Sequence, residues 1–345
     1  MAVLLKELTA LPGVSGYEDE VRQFIWKRAR DCADRVMIDR LGSVIAIKKG
    51  DWHPERNVLV DAHMDEVGML VSGIDEKGFV HFIPIGGLDA RILPSTRVLV
   101  GSAGVRGIIG IKPIHLQKDD EQKKPIELDK MVIDVGASSR EAAQKLVSVG
   151  DPVVFDSEFA LFGDGMVKSR ALDDRVGCAL LLEALEERYP VTVTAVFSAQ
   201  EEVGGMGARA ASHRAQPDAA LVLEGTTCAD MHGVPDHMRV TRIGKGPAIT
   251  PMERSAIADP ALIRLIRSAA EQEGIPWQYR EGNLGGTDAG PIQLAREGVP
   301  VAHIMIPCRY IHSGVSALSL QDFNNGRRLL RATLMRIHRL FEKED

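Results

Sequence analysis

Several features that would place a chain in a large functional class are scarce or missing here. Aromatic residues make up 5% of the 345 residues, which leaves no row of exposed rings for a sugar chain to stack on and argues against a cellulase-like role. The four cysteines, Cys32, Cys178, Cys228 and Cys308, lie far apart and form no C-x-x-C pair, which argues against a disulfide framework and a thiolate zinc cluster. A reduced, cytoplasmic chain is expected. No apolar run approaches the ~18–20 residues of a membrane-spanning helix, so no membrane role is expected. The opening MAVLLKELTALPG lacks a basic flank, a long apolar stretch and a small-residue cleavage site, and is not expected to be a secretion signal. The 42 Lys and Arg residues are scattered and the net charge is −6, so nucleic acid is not an expected partner. Neither G-x-S-x-G, H-E-x-x-H nor a P-loop occurs, and no cysteine has a persuasive local partner for nucleophilic catalysis.

What is present is ordinary globular material, with 45% hydrophobic and 26% charged residues. At roughly 100–200 residues per domain, the length predicts two domains or one large domain with an insertion. Two helices open the chain. The first stops at Pro12, and the second is expected from Ser15, with Glu18 three residues on completing a capping box. Strands are expected at Gly42–Lys48 and Asn57–His63, the latter a continuous apolar run suited to cover on both faces. From about Gly68 to Gly163 the texture changes to short alternating segments broken by Gly, Pro and charged turns, which reads as a small all-β barrel or sandwich inserted into an α/β domain. After Asp164 strands and helices alternate again: helices near Asp173, after Gly205, at Pro260–Glu273, Ala289–Arg296 and Leu320–Phe341, and strands at Val191–Ser198, Ala219–Leu223 and Val299–Ile306. That rhythm predicts a mixed or parallel sheet covered on both sides, with its active site at strand ends.

Acids and histidines fall at those ends. Asp61-Ala-His63-Met-Asp65-Glu66 follows one apolar strand, Asp173-Asp174 opens a helix, Glu201-Glu202 follows another strand, Glu224 ends a third, and His312 lies in the loop beyond a fourth. Each has a plain alternative: an Asp pair commonly caps a helix, a Glu pair commonly sits in a solvated turn, and a lone loop histidine is seldom a ligand. The assembly is what carries weight. Two histidines with three carboxylates form the ligand chemistry of a pair of divalent metals such as Zn, Co or Mn. His53, His81, His115, His213, His237 and His338 sit in turns, the insert or helix surfaces and are given no role, and His232 and His303 lack nearby acids in ligand register.

These residues lie in segments that together resemble the tetrahedral (TET) aminopeptidases, the family that includes deblocking and glutamyl aminopeptidases. The matching segments are VDAHMDEVGMLV (60–71), RALDDRVGC (170–178), AQEEVGGMGA (199–208), LEGTT (223–227), GGTDAG (285–290) and IPCRYIHSGVS (306–316), in order along nearly the whole chain. The resemblance implies a zinc-exopeptidase-like catalytic domain, residues 1–67 plus 164–345, whose mixed sheet is covered by helices on both faces. Residues 68–163 would form an inserted small all-β barrel or PDZ-like dimerisation domain. It implies a co-catalytic pair of divalent ions in each subunit: Asp173 bridging both, His63 and Glu224 completing one site, Glu202 and His312 the other. Glu201 would be the general base, Asp65 would orient and polarise His63, and the Asp173–Asp174 peptide would be cis. Members vary between Asp and Glu at the position of Glu224. The substrates implied are peptides, and the implied assembly is a homo-oligomer in which dimers build a tetrahedral dodecamer. The alternatives are a related dinuclear amidohydrolase (a dipeptidase, carboxypeptidase or deacylase) and a non-catalytic assembly protein. The latter would have lost a ligand or the base, whereas His63, Asp173, Glu202, Glu224, His312 and Glu201 are all present. An acidic substrate preference would want a basic residue in the pocket; Arg309 is nearby in sequence but belongs to the RYIHS motif, so it does not decide the preference.

Overall fold

A computed structural model describes residues 2–282 and 285–342. The four most apolar segments become its centre. Val191–Ser198, His53–His63, Ala219–Thr227 and Val301–Arg309 lie side by side and all run parallel. Every residue of Val191–Ser198 is buried, as expected of a strand covered on both faces. Antiparallel strands extend the sheet at each edge: Val44–Lys48 and then Arg35–Ile38 on one side, and Ser316–Ser319, Met166–Ser169 and Ala160–Phe162 on the other.

Alternation along the strands sends side chains to two separate cores. Val58, Val60 and Ala62 pack with the helices Ala2–Ala10, Asp19–Arg30, Leu172–Ala184, Pro260–Gln272 and Leu320–Leu334. Leu59, Val196, Ala220 and Val222 face the other way, against Ala208 and Ala211 of the helix Met206–Ala215 and Ala289 and Ile292 of the helix Ala289–Gln293. The first turn of Met206–Ala215 sits so close to the sheet that a Cβ on Gly207 would lie 2.4 Å from the Ala199 carbonyl oxygen, so only glycine fits there.

Six strands form a separate closed barrel in the order Gly68–Ile74, Val80–Ile85, Val132–Asp134, Val105–Gly110, Arg97–Val100 and Pro152–Phe155. Its core is built from alternate positions, including Met69, Val71, Val98, Val100, Ile109, Ile133 and Val153. The strand Ala160–Phe162, inside the segment read as insert, pairs instead with Met166–Ser169 in the main sheet.

Two local expectations are corrected. The second helix begins at Asp19, not Ser15, because the capping groups are used elsewhere. The Ser15 hydroxyl donates to Asp65 at 2.6 Å, while Glu18 accepts from the amides of Gly16 and Gln200 at 2.8 and 3.2 Å. The last long helix stops at Leu334, and a 3-10 turn, Ile337–Leu340, then buries Ile337.

A buried ion group joins these layers. Glu66 accepts from the Gly13 amide at 3.0 Å and from Arg170, and Arg175 lies 3.5 Å from the same oxygen. Arg175, with no exposed surface, also donates to the carbonyls of Met64 (2.8 Å) and Leu11 (3.0 Å). One carboxylate thus fastens the loop after the first helix, the end of the His53–His63 strand and the start of the Leu172–Ala184 helix. Removing the acid strands two guanidinium groups without their counter-charge. Glu66→Ala is therefore expected to lose about 3–5 kcal/mol of stability, read as a lower urea midpoint with an unchanged slope; an unchanged midpoint would mean the arginines are satisfied without it.

Candidate functional site

The carboxyl ends of the parallel strands converge on one cavity, where an α/β sheet presents its ligands. His63 is the last residue of its strand and pairs in register with Ser198, three residues before Glu201. Glu224 lies near the end of the next strand, paired with Met305. Asp173 enters at the start of its helix through a cis peptide to Asp174, and Gly225 gives it room: a Cβ there would lie 2.9 Å from the Asp173 Cα. His312 comes from the loop after Val301–Arg309 with φ of 57°.

Of the residues singled out in the sequence, His63, Asp173 and Glu224 have donor atoms within 4.8 Å of one another, and so do Asp173, Glu202 and His312. Asp173 belongs to both groups. Its Oδ1 lies 3.4 Å from His63 Nε2 and its Oδ2 lies 3.5 Å from His312 Nε2. Glu224 Oε1 is 3.3 Å from His63 Nε2, and Glu202 Oε1 is 3.3 Å from His312 Nε2. Glu201 also has a donor atom within 4.8 Å of His63 and Glu202.

These separations fit metal ligands better than hydrogen bonds. They exceed the ~2.7–3.0 Å of a charge-assisted bond. They match the ~3.3 Å between neighbouring ligands of a tetrahedral ion with bonds of about 2.0–2.1 Å. Asp173 Oδ1 is buried without a hydrogen-bond partner, as a metal-facing oxygen would be. The residues therefore fit divalent metal.

The imidazoles are already turned for this use. His312 Nδ1 lies 3.0 Å from the Gly87 carbonyl oxygen, which can only accept, so Nδ1 carries the proton and Nε2 points into the cavity. His63 Nδ1 lies 3.1 Å from the Asp65 carbonyl oxygen and 3.4 Å from its carboxylate. Asp65 is itself buried and fixed, accepting from Ser15 and from the amides of Glu201 (2.9 Å) and Glu202 (3.1 Å). One side chain therefore orients a histidine and sets the backbone of both neighbouring glutamates. Gly87 follows the barrel strand Val80–Ile85, so the barrel takes part in the site.

Without a cation the cluster is electrostatically crowded. Burial pushes the Glu224 carboxyl up to about 8 despite its contact with His63. Burial likewise raises Glu201 well above the usual carboxylate range, with Asp288, Glu224 and Glu202 adding to it. Burial alone would lower His312, but the Asp173 and Glu202 carboxylates hold its proton up to about 11. Beneath the site, Asp61 and Asp288 are buried together, with the Ser198 hydroxyl 3.2 and 2.6 Å from them, and burial followed by the Asp288 charge raises Asp61 strongly. That pair was not singled out in the sequence, although an acid inside the apolar run NVLVDAH was the available signal.

The cavity holds about 700 Å³ and is also lined by Thr226, Ser255, Arg280, Thr287, Met305 and Ile311. Arg309 does not line it. Its guanidinium grips Asp230 in a two-pronged pair at 2.6 and 2.9 Å, a structural contact that removes the sequence-based case for it as a substrate selector. Arg280 lines the cavity instead, unmarked by any motif. His303 is fully buried behind Thr287, whose hydroxyl oxygen lies 3.1 Å from its Nε2. Among the described residues no helix is long and apolar enough to cross a membrane.

Comparison with known proteins places this geometry. The profile of the M42 glutamyl aminopeptidase family matches residues 42–329. The solved TET aminopeptidase from a marine-sediment thaumarchaeote is 40% identical, covers 97% of this chain and 96% of its own, and superposes with a TM-score of 0.93. The TET1 peptidase of Pyrococcus horikoshii, described as assembling into a tetrahedron or a large octahedral shell, is 33% identical with a TM-score of 0.85 over 97% of this chain and 99% of its own. The lysyl aminopeptidase of Pyrococcus furiosus is 33% identical over 339 residues, 96% of each chain.

Metal uptake should be linked to protons. A ligating histidine must be neutral and a ligating carboxylate ionised, yet without a cation His312 keeps its proton to about 11 and Glu224 to about 8. Binding at neutral pH therefore expels protons, and affinity climbs as pH rises toward the Glu224 value. Calorimetric titration of the metal-free protein with zinc or manganese, in buffers of different ionisation enthalpy, is expected to show net proton release; none would mean these groups do not ligate.

Proposed function

The chain belongs to the M42 glutamyl aminopeptidase family and is a metal-dependent aminopeptidase, and on that premise we propose how its residues share the work of removing N-terminal residues from peptides. The observation that carries the reading is Asp173, whose two oxygens face two separate histidine–carboxylate groups. In this reading Asp173 would be shared between two divalent ions, with Zn, Co or Mn all suited to the donors. His63 and Glu224 would hold one ion, and Glu202 and His312 the other. Ions so held would supply an acidified water and a Lewis acid to polarise the peptide carbonyl.

Glu201 receives the proton. Its carboxyl is buried and its proton affinity is raised toward the working range of a general base, so an Oε can take the proton from the attacking water and return it to the departing amine. Asp65 does not touch the substrate. It holds the His63 ring and, through the Glu201 and Glu202 amides, keeps base and ligand at fixed bearings. Residues 1–67 and 164–345, with the strand Ala160–Phe162 added at the sheet edge, form the catalytic unit, and the barrel that ends at Phe155 forms the insert. Exposed Ile83 and Ile108 on the barrel, together with the shell described for the P. horikoshii relative, support assembly of this chain into a homo-oligomer through that insert, up to a tetrahedral dodecamer.

The adjacent glutamates separate base from ligand. Glu201→Gln keeps shape and hydrogen bonding but removes the proton acceptor, and is expected to cut turnover by about 10²–10⁴-fold with metal content near two per chain. Glu202→Gln is expected to lose one ion, because a neutral amide is a weaker ligand. Plasma mass spectrometry beside initial rates decides: loss of metal in the Glu201 variant and full retention in the Glu202 variant would reverse the two roles.

A further inference from the structure

Three consecutive backbone amides in the turn after the strand Val191–Ser198 are held by two buried carboxylates. Asp65 takes those of Glu201 and Glu202. The amide before them, on Gln200, donates to Glu18 Oε1 at 3.2 Å, across 182 positions of sequence. Two successive peptide planes are thus gripped from outside, one by Glu18 and the next by Asp65, which sets the backbone angles of Gln200 between them. Its φ is 60°, in the left-handed region that a side chain disfavours. Freed from Glu18, the Ala199–Gln200 peptide can turn and let Gln200 return to a negative φ. Glu201 is the next residue, so the direction of its carboxyl depends on that angle.

Glu18 is built as a fixed arm. It has no exposed surface, and its Oε1 also accepts from the Gly16 amide at 2.8 Å. Its backbone carbonyl takes the Arg22 amide at 2.8 Å, at the start of the helix Asp19–Arg30, which buries Val21, Ile25 and Ala29 in the main core. The loop before it is tied down at several points. Gly13 and Glu66 exchange bonds in both directions, at 3.0 and 2.9 Å, Ser15 donates to Asp65, and the Tyr17 hydroxyl donates to the Gly150 carbonyl at 2.8 Å. We propose that Glu18 is a positioning residue for this reaction: by holding the Gln200 amide it fixes the bearing of Glu201, without touching substrate or metal. The proposal rests on the reading of Glu201 as the general base.

Three variants separate reach from charge. Glu18→Gln keeps the Oε1 acceptor and gives up the charge. Glu18→Asp keeps the charge but draws the acceptor back by one methylene, and Glu18→Ala removes both. Each is assayed metal-loaded on the aminoacyl p-nitroanilide that the wild type cleaves fastest. Glu18→Asp and Glu18→Ala should lose kcat by about ten- to a hundredfold, the scale on which a misplaced reacting group costs rate, with KM and metal content as in the wild type. Glu18→Gln should keep most of kcat, since Arg22 retains the Gly42 carbonyl and Asp19. Adding Glu18→Ala to Glu201→Gln should cost nothing further, because the arm then positions a side chain that cannot take the proton. A loss that adds in full in that background overturns the proposal. So does a Glu18→Gln loss as large as that of Glu18→Asp, and the Gln and Asp pair decides even where Glu18→Ala does not fold. Wild-type kcat in the Glu18 variants beside a crippled Glu201→Gln overturns this proposal alone. Wild-type turnover in Glu201→Gln removes the base reading, and this proposal with it.

Discussion

The structure depends on one electrostatic constraint: several carboxylates are held together where water is largely excluded. Asp173, Glu202 and Glu224 are buried or nearly so, and like charges so placed raise one another's proton affinity unless cations lie among them. The fold sets that arrangement with rigid elements. Parallel strands deliver His63 and Glu224 in adjacent register, and a helix start delivers Asp173 between them. Backbone carbonyls at Asp65 and Gly87 fix both imidazoles. The Glu66 ion group then pins the segments that could otherwise drift apart.

The barrel is more than an appendage. Gly87, which leaves its second strand, holds the His312 ring, and a Cβ on Gly86 would lie 3.3 Å from Glu202. Phe155, in its last strand, packs 3.3 Å from the Cβ position of Gly314, two residues beyond His312. The barrel therefore borders the site on the Glu202 and His312 side, and its first strand, starting at Gly68, follows directly from the His63–Glu66 segment.

Much of this was legible in the residues. Continuous apolar runs marked the buried parallel strands, and the change to short alternating segments marked the barrel. Acids and histidines at strand ends marked the cavity. The failures have physical reasons. Ser15 and Glu18 fit a capping box by spacing, but a tertiary partner, Asp65, competes for the hydroxyl. The strands Ser316–Ser319 and Met166–Ser169, between the parallel centre and the sheet edge, are short and take their form from neighbours rather than from their own pattern. Arg309 and Arg280 could not be ranked from sequence, since whether an arginine faces a cavity or an aspartate depends on contacts from distant segments. The Asp61–Asp288 pair joins residues more than two hundred positions apart, so the acid inside NVLVDAH could be noticed but its partner could not.

The central claim is that two cations sit on either side of Asp173. Anomalous diffraction from crystals grown with zinc, recorded above and below its absorption edge, tests this most directly. The account predicts two peaks per chain, one beside His63 and Glu224, the other beside Glu202 and His312, with an Asp173 oxygen at each. A single peak, or two peaks that both leave Asp173 unligated, would contradict it.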